Sequence, residues 1–225
     1  MLENEQAAAF TIPGVDDATA SLLLEAARTV TLKRGQSVFT EGDPSGPVYL
    51  VTSGKVKISR WTSTGGEGLL AVLGPGNIFG ELSILDGEPR SASAQALGKA
   101  TVEELTQDHL RELIDARPEV AQWMLQQLAR RLRQANDVVA DLVFSDVPAR
   151  VAQILVNLAG EFGVEGADGV QVEHGLTQLE LAQLAGAARE SVNKALASFA
   201  GRSWVTLSSR SILIHDVDAL QRRAG

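Results

Sequence analysis

Between residues 177 and 212 the chain carries side chains whose types and spacing suit them to reading a nucleic acid. Arg189, Glu190, Asn193 and Lys194 fall on one side of a helical stretch over 189–199, opposite the apolar Val192, Ala195, Leu196 and Phe199. Arginine and lysine can donate to the O6 and N7 acceptors of guanine, and glutamate can accept from cytosine N4. The same spacing permits a simpler outcome, a solvated Glu190–Lys194 pair at i and i+4. Upstream, Thr177 can cap a helix over 178–185 with Glu180 three residues on, the capping-box arrangement. Gly186 then stands where a helix end needs a left-handed residue. Leu181, Ala182, Ala185 and Ala187 are small or apolar, as a close crossing of two helices requires. Two β segments follow, 204–207 and 212–215, around Ser208, Ser209 and Arg210. The sum is a winged helix-turn-helix whose second helix would enter a major groove. Residues 186–212 hold Arg189, Lys194, Arg202 and Arg210 against Glu190, a local charge of +3.

Such a unit needs a partner copy and a scaffold, and the preceding residues offer both. Pro118 suits a first helical position, and no Pro or Gly interrupts the chain until Pro148. Along this stretch Ala121, Leu125, Leu128, Leu132, Ala135, Val139 and Leu142 alternate steps of four and three, the seam of a coiled coil. Val120, Trp123 and Met124 lie off that seam and are expected to pack on the chain's own N-terminal part. A helix buried only against its own domain explains one apolar stripe but not two, so self-dimerisation is expected. Residues 145–148 (Ser-Asp-Val-Pro) can end this helix and cap the next, and 144–148 can form a hinge. From 28 to 105 short β-branched segments at 28–33, 38–40, 48–52, 55–60, 69–73 and 101–105 alternate with Gly and Pro turns. That is the texture of a β-sandwich, roll or barrel, with a short helix over 18–27 before it. After the hinge, the reading is a helix over 149–162, a Gly-rich turn and a strand over 170–173, leading into the helix-turn-helix.

Composition bounds the chemistry. The 225 residues are 44% hydrophobic, enough for folded domains, and contain no cysteine, which excludes disulfides, thiol catalysis and cysteine-held zinc or iron–sulfur centres. The opening MLENEQAAAF lacks the basic start of a secretory leader, and no apolar run nears the ~18 residues of a membrane span, so a cytoplasmic protein is expected, with no membrane partner. A cupin-type metal enzyme is the alternative from another class. It would need clustered ligands, but His109, His174 and His215 are scattered, and neither a P-loop nor a GxSxG elbow occurs. Trp61, Trp123 and Trp204 read as packing or loop residues. The net charge of −8 at first argues against a nucleic-acid partner, but it is unevenly spread. Residues 1–117 hold 16 acids and 10 bases, residues 118–145 three of each, and residues 146–225 nine acids and seven bases. The acidity sits mainly in the N-terminal part, so few phosphate contacts and a modest salt dependence are expected.

Read in order, SGKVKI (53–58), FGELSILDGEPRSAS (79–93), LARRLRQAND (128–137), FSDVPARVA (144–152) and LTQLELAQLAGAARESVNKALASF (176–199) resemble the cyclic-AMP receptor protein family of bacterial transcription regulators, the catabolite activator type. The resemblance covers essentially the whole chain. It implies an α+β architecture: a cupin-like β-roll (jelly roll) over 1–117, a dimerisation helix over 118–145 and a winged helix-turn-helix domain over 146–225. It also implies a homodimer that binds a palindromic operator in double-stranded DNA under control of a cyclic nucleotide, with cyclic AMP (cAMP) as allosteric ligand. RNA polymerase enters as a candidate partner, although no motif marks its contact surface.

The implied nucleotide site comprises Gly80, Glu81, Leu82, Ser83, Arg90, Ser91, Arg131 and Asn136. Gly80 would allow close backbone approach, Glu81 would accept from a ribose 2′-hydroxyl, and Arg90 with Ser91 would hold the cyclic phosphate. A Glu81–Arg90 ion pair bracing a turn is the plainer alternative. The implied DNA-binding set is Thr177, Gln178, Arg189, Glu190, Ser191, Asn193, Lys194 and Arg210. Two positions depart from the family pattern. Ala135 stands where relatives carry a hydroxyl that reaches the purine, a loss of ~1 kcal/mol if nothing replaces the bond, and Asn136 beside it can cross to the partner's pocket. The ligand-independent or cyclic-GMP-responsive regulator therefore stays open. Ala188 stands where relatives carry Ser or Thr at the start of the reading helix, so that helix lacks a side-chain cap.

Overall fold

The computed structural model describes residues 12–62 and 65–225; the opening MLENEQAAAF, read above as lacking a leader, lies outside them. Asp16 caps helix α1 (Asp17–Glu25) through Thr19 N at 2.9 Å. Strands β1 (Arg28–Leu32), β2 (Ser37–Phe39), β3 (Val48–Ser53), β4 (Val56–Trp61), β5 (Glu67–Leu73) and β6 (Ile78–Phe79) follow, then the short helix α2 (Leu82–Asp86) and strands β7 (Ser93–Ala96) and β8 (Ala100–Leu105). They form two antiparallel sheets, ordered β1-β8-β3-β6 and β2-β7-β4-β5. Strand alternation between two packed layers explains why the first four residues of β3, Val48 to Val51, are all buried. Tyr49 and Val51 point into the space between the sheets with Val56, Phe79 and Val102. Val48 and Leu50 point the other way, onto a helical layer.

That layer contains α1, α3 (Gln107–Ala116, capped by Thr106) and the start of α4 (Pro118–Phe144). Val120, Trp123 and Met124 are buried there, and the Trp123 indole donates to the Pro13 carbonyl at 3.1 Å. The other face of α4 is bare: Leu125, Leu132 and Val139 are 66%, 63% and 61% exposed. Leu142, the last residue of the stripe, also rests against Gly186 in the helix-turn-helix.

Beyond α4, Asp146 caps α5 (Val147–Phe162) through Ala149 N at 2.8 Å. The rest is β9 (Gly163–Gly166), β10 (Gly169–Val172), α6 (Gln178–Leu184), α7 (Arg189–Gly201), β11 (Val205–Leu207), β12 (Ile212–Ile214) and α8 (Val217–Ala224). The expected two-stranded ribbon is half of a four-stranded sheet, β11-β12-β10-β9, because the segment read as a Gly-rich turn pairs with β10 from Gly163 to Gly166. Strands β6 and β7 and helices α3 and α8 are likewise additions to the sequence reading.

The C-terminal unit packs directly on the β-roll. Leu69, Val72 and Leu97 share one apolar cluster with Val172, Leu176 and Leu181. Gln183 of α6 donates to the Glu67 carbonyl at 2.6 Å. At the centre Lys57, with a side chain only 7% exposed, lies 3.0 Å from a Glu67 carboxylate oxygen and 3.1 Å from one of Glu180. Burial works against the ammonium charge, but hydrogen bonds from Lys57 to both carboxylates outweigh it and hold the lysine's pKa above its usual range.

Candidate functional sites

The first site forms where β6 gives way to α2. Gly80 has φ +80, and a Cβ there would stand 2.6 Å from Arg90 Nη1 and 3.3 Å from the Pro47 carbonyl oxygen, so only glycine fits. Arg90 is 4% exposed. Its Nη1 donates to the Gly80 carbonyl (2.6 Å) and to Ser83 Oγ (2.9 Å), its Nη2 donates to the Pro47 carbonyl (2.6 Å), and its plane lies 4.2 Å from the Phe39 ring. Among the described residues no carboxylate hydrogen-bonds to it. Burial lowers its pKa, against the opposing charges of Tyr49, Asp43 and Glu81. Buried charges are ordinarily paired, so this guanidinium is a cation without its anion.

Glu81, 2% exposed, does not pair with Arg90, and the bracing ion pair considered above does not form. Its Oε1 instead accepts from Arg131 Nη1 at 2.6 Å, and Arg131 Nη2 donates to the Ile78 carbonyl. The pocket is therefore tied to α4 by a charged link. Gly80, Glu81, Leu82, Ser83, Arg90, Ser91 and Arg131 all border one cavity of about 70 Å³, with Phe39, Ile58, Phe79 and Ala92. These last four were missed by the sequence reading, although Phe39, Tyr49 and Phe79 form an aromatic cluster that an inward-facing count could have suggested. Asn136 does not join them. It is exposed, and five residues beyond Arg131 it lies roughly 140° around α4, so it faces away from its own pocket.

The second site is the helix-turn-helix. Thr177 Oγ1 accepts from Glu180 N (3.2 Å) while the Glu180 carboxylate accepts from Thr177 N (2.8 Å), completing the capping box. Gly186 adopts φ +55. Ala188 has an N-cap backbone and no side-chain cap. Arg189, Glu190 and Lys194 are exposed, Ser191 is half-buried beside them, and Arg189 Nη2 reaches Gln178 Oε1 at 3.4 Å. Glu190 and Lys194 form no ion pair among the described residues.

Two of the expected DNA contacts are more enclosed than the others. Asn193 is half-buried with Oδ1 enclosed and without a partner, because it flanks the apolar face of α7 rather than its outer face. Arg210 is also half-buried with Nη1 enclosed, since the β11–β12 turn folds back onto the domain and its carbonyl accepts from Gly175 N.

A buried, unpaired arginine in a jelly-roll pocket, linked through a long helix to a helix-turn-helix, defines a cyclic-nucleotide-type sensor joined to a DNA reader. Comparison with known proteins agrees. Residues 29–117 match the cyclic nucleotide-binding domain family, and residues 149–223 match the Crp-like helix-turn-helix domain family. A "CRP-like cAMP-activated global transcriptional regulator" of Mycobacterium tuberculosis is 46% identical over 211 residues, covering 94% of each chain. Among solved structures, FixK2 from Bradyrhizobium japonicum superposes with a TM-score of 0.79 at 21% identity over 88% of this chain and 98% of that one. The Thermus thermophilus catabolite activator protein is 33% identical over 95% of this chain and 97% of that one, with a TM-score of 0.54. The chain belongs to the cyclic-AMP receptor protein (CRP/FNR) family of DNA-binding transcription regulators, which are not enzymes. No described helix is long and apolar enough to cross a membrane.

Proposed function

We propose that the protein is a cytoplasmic, homodimeric regulator whose affinity for a palindromic operator is set by a cyclic nucleotide, with cAMP as the effector. Residues 1–117 serve as nucleotide domain, 118–145 as dimerisation helix and 146–225 as DNA-binding domain. The observation that carries this reading is Arg90, a buried cation whose partners are two carbonyls and a hydroxyl. A bound cyclic nucleotide supplies the anion that Arg90 lacks. Arg90 would turn its fork from the Gly80 and Pro47 carbonyls toward that phosphate, with Ser91 beside it. Glu81, whose Oε1 is already held by Arg131, keeps its second oxygen for a ribose hydroxyl. The cavity of about 70 Å³ is well below the ~300–1,000 Å³ of small-molecule sites, so α2 and Arg90 must shift for the site to fill. Arg131 passes that shift to α4. Cyclic AMP is favoured because the 46%-identical relative is named as cAMP-activated.

The bare apolar stripe of α4 supports the dimer, and the exposure of Asn136 on the side of α4 away from its own pocket supports a reach across to the partner's purine. Ser145 and Asp146, between α4 and α5, supply a hinge about which the two domains would re-orient. A second reading, a ligand-independent or cyclic-GMP-responsive regulator, is favoured by Ala135, which offers the purine no hydrogen bond. Calorimetry with cAMP and cyclic GMP on the wild type and on Arg90→Ala separates them. The expected result is one cAMP per subunit for the wild type and a loss of at least tenfold in affinity for the variant; no heat from either nucleotide would overturn the effector assignment.

A further inference from the structure

Beside the reading helix lies a larger cavity, about 520 Å³, separate from the nucleotide pocket and bordered on one side by the base-reading residues Ser191 and Lys194. Its floor is apolar, made by Val147, Phe199 and Trp204, and its rim is cationic, made by Lys194, Arg202 and Arg223. Ser191 and Ser198 add hydroxyls. Ser191, Lys194, Ser198 and Arg202 follow one another at steps of three and four, so they form one stripe along α7 and just past its end. The first two also belong to the reading face, so cavity and reading face are continuous.

The charges at this rim are largely unspent. Lys194 has no ion-pair partner among the described residues. The Arg202 guanidinium lies over the Trp204 ring at 5.1 Å with no carboxylate on it. Arg223 donates one nitrogen, Nη2, to both oxygens of Asp146, at 2.7 Å each. Among the described residues Asp146 is the one carboxylate in ionic contact with the rim, and it is also committed to capping α5. Three cations against one anion leave +2 in a chain of net charge −8. The start of α5, with Pro148 in its first turn, opens onto the same cavity.

We propose that this cavity grips the sugar-phosphate backbone of the duplex whose bases α7 reads, with Arg202 and Arg223 as phosphate contacts. This deepens the DNA-binding reading and rests on it. Arg202 lies eight residues, or ~12 Å of helix, beyond Lys194, about the width of a major groove. A helix whose first turns meet base edges thus brings Arg202 out over the strand that bounds the groove. The expectation of few phosphate contacts, drawn from net charge, is revised by this clamp: Arg223 is remote in sequence from the reading segment and was not counted with it.

The test is the salt dependence of DNA binding by the full-length protein, with and without cAMP, on a palindromic duplex and a scrambled one. Arg202→Gln keeps a flat group on Trp204 but removes the charge, and Arg223→Gln removes the second cation. Removing one phosphate-binding cation lowers the slope of log K against log salt by ~0.9 per subunit. Each variant is therefore expected to show a slope reduced by about 1.8 per dimer, and to weaken both duplexes by the same factor without changing base preference. Arg202→Lys, which keeps the charge, should retain the slope, and this separates charge from packing. Unchanged slopes in both glutamine variants would overturn the clamp while leaving the reader intact, and would give the cavity to another partner such as an acidic protein surface. A wild type that binds neither duplex would overturn the DNA-binding reading and the clamp with it.

Discussion

Replacing Lys57 with Met removes the cation shared by Glu67 of the β-roll and Glu180 of the helix-turn-helix while keeping most of its apolar stem. The loss leaves Glu180, whose side chain is 15% exposed, and Glu67, 30% exposed, facing each other without a counter-charge. Removing one partner of a fully buried ion pair costs about 3–5 kcal/mol. Here water can reach both carboxylates, and Glu180 keeps its bonds from Thr177 N and Oγ1, so about 2–3 kcal/mol is the reasonable figure. For a chain of this size that corresponds to a fall in Tm of roughly 5–10 °C. Most of the loss should appear as undocking of the C-terminal unit, because the β-roll core between its sheets does not include Lys57. Hydrogen exchange should therefore accelerate in β4, β5 and α6 and not in β3 or β8. A double-mutant cycle with Glu180→Gln isolates the bond from any damage to the capping box. The expected coupling is about 1–2 kcal/mol. Additive single effects, or exchange that rises evenly over the molecule, would refute the latch.

Two further outcomes follow from local features. Ala188→Ser supplies the missing cap of α7 at a backbone already in the N-cap conformation (φ −62, ψ 138), so it should add about 1 kcal/mol and raise both Tm and non-specific DNA affinity; unchanged melting and binding would contradict this. His174 is 2% exposed, and burial lowers its pKa to about 4, with Glu173 and Glu180 opposing that shift and Lys55 adding to it. Its Nδ1 accepts from Leu176 N at 3.0 Å, so the native ring is neutral with its proton on Nε2. The unfolded chain takes up a proton near pH 6.5 and the native one does not until about 4, so stability is full above 6.5 and falls by up to about 3 kcal/mol on acidification to 4. Depressed carboxylates such as Asp146 add their own loss only below the usual carboxylate range, which leaves pH 6.5–5 as the window for the histidine. Thermal melts across that window should slope less in His174→Asn than in the wild type; parallel curves would remove the histidine from the account.

What was legible in the sequence was local. Pro118 and the unbroken residues after it mark α4, Thr177 with Glu180 marks α6, and Gly186 marks the turn, because each signal acts within a few residues of itself. Helix α8 was legible in principle, with Asp216 as its cap and Arg222 and Arg223 in its last turn. The partners of the charged groups were not legible. Glu81 finds Arg131 fifty residues away and Lys57 finds Glu180 at a separation of 123, distances at which spacing carries no information. Lys57 in particular occupies the outward face of β4, opposite Val56, where strand alternation predicts solvent; it is buried only because α6 lies over it. The half-burial of Asn193 was not legible for a related reason, since the exposure of a residue at the border of a helix face is set by tertiary packing rather than by periodicity.

The central claim is that occupation of the Arg90 pocket sets DNA affinity. It is tested most directly by measuring binding of the full-length protein, at fixed salt, to a palindromic duplex selected by this protein from a random pool, while titrating cAMP. The account predicts dimer binding that tightens several-fold or more as cAMP saturates, with Arg90→Ala held at the nucleotide-free affinity. Equal affinity with and without nucleotide, in wild type and variant alike, would contradict it.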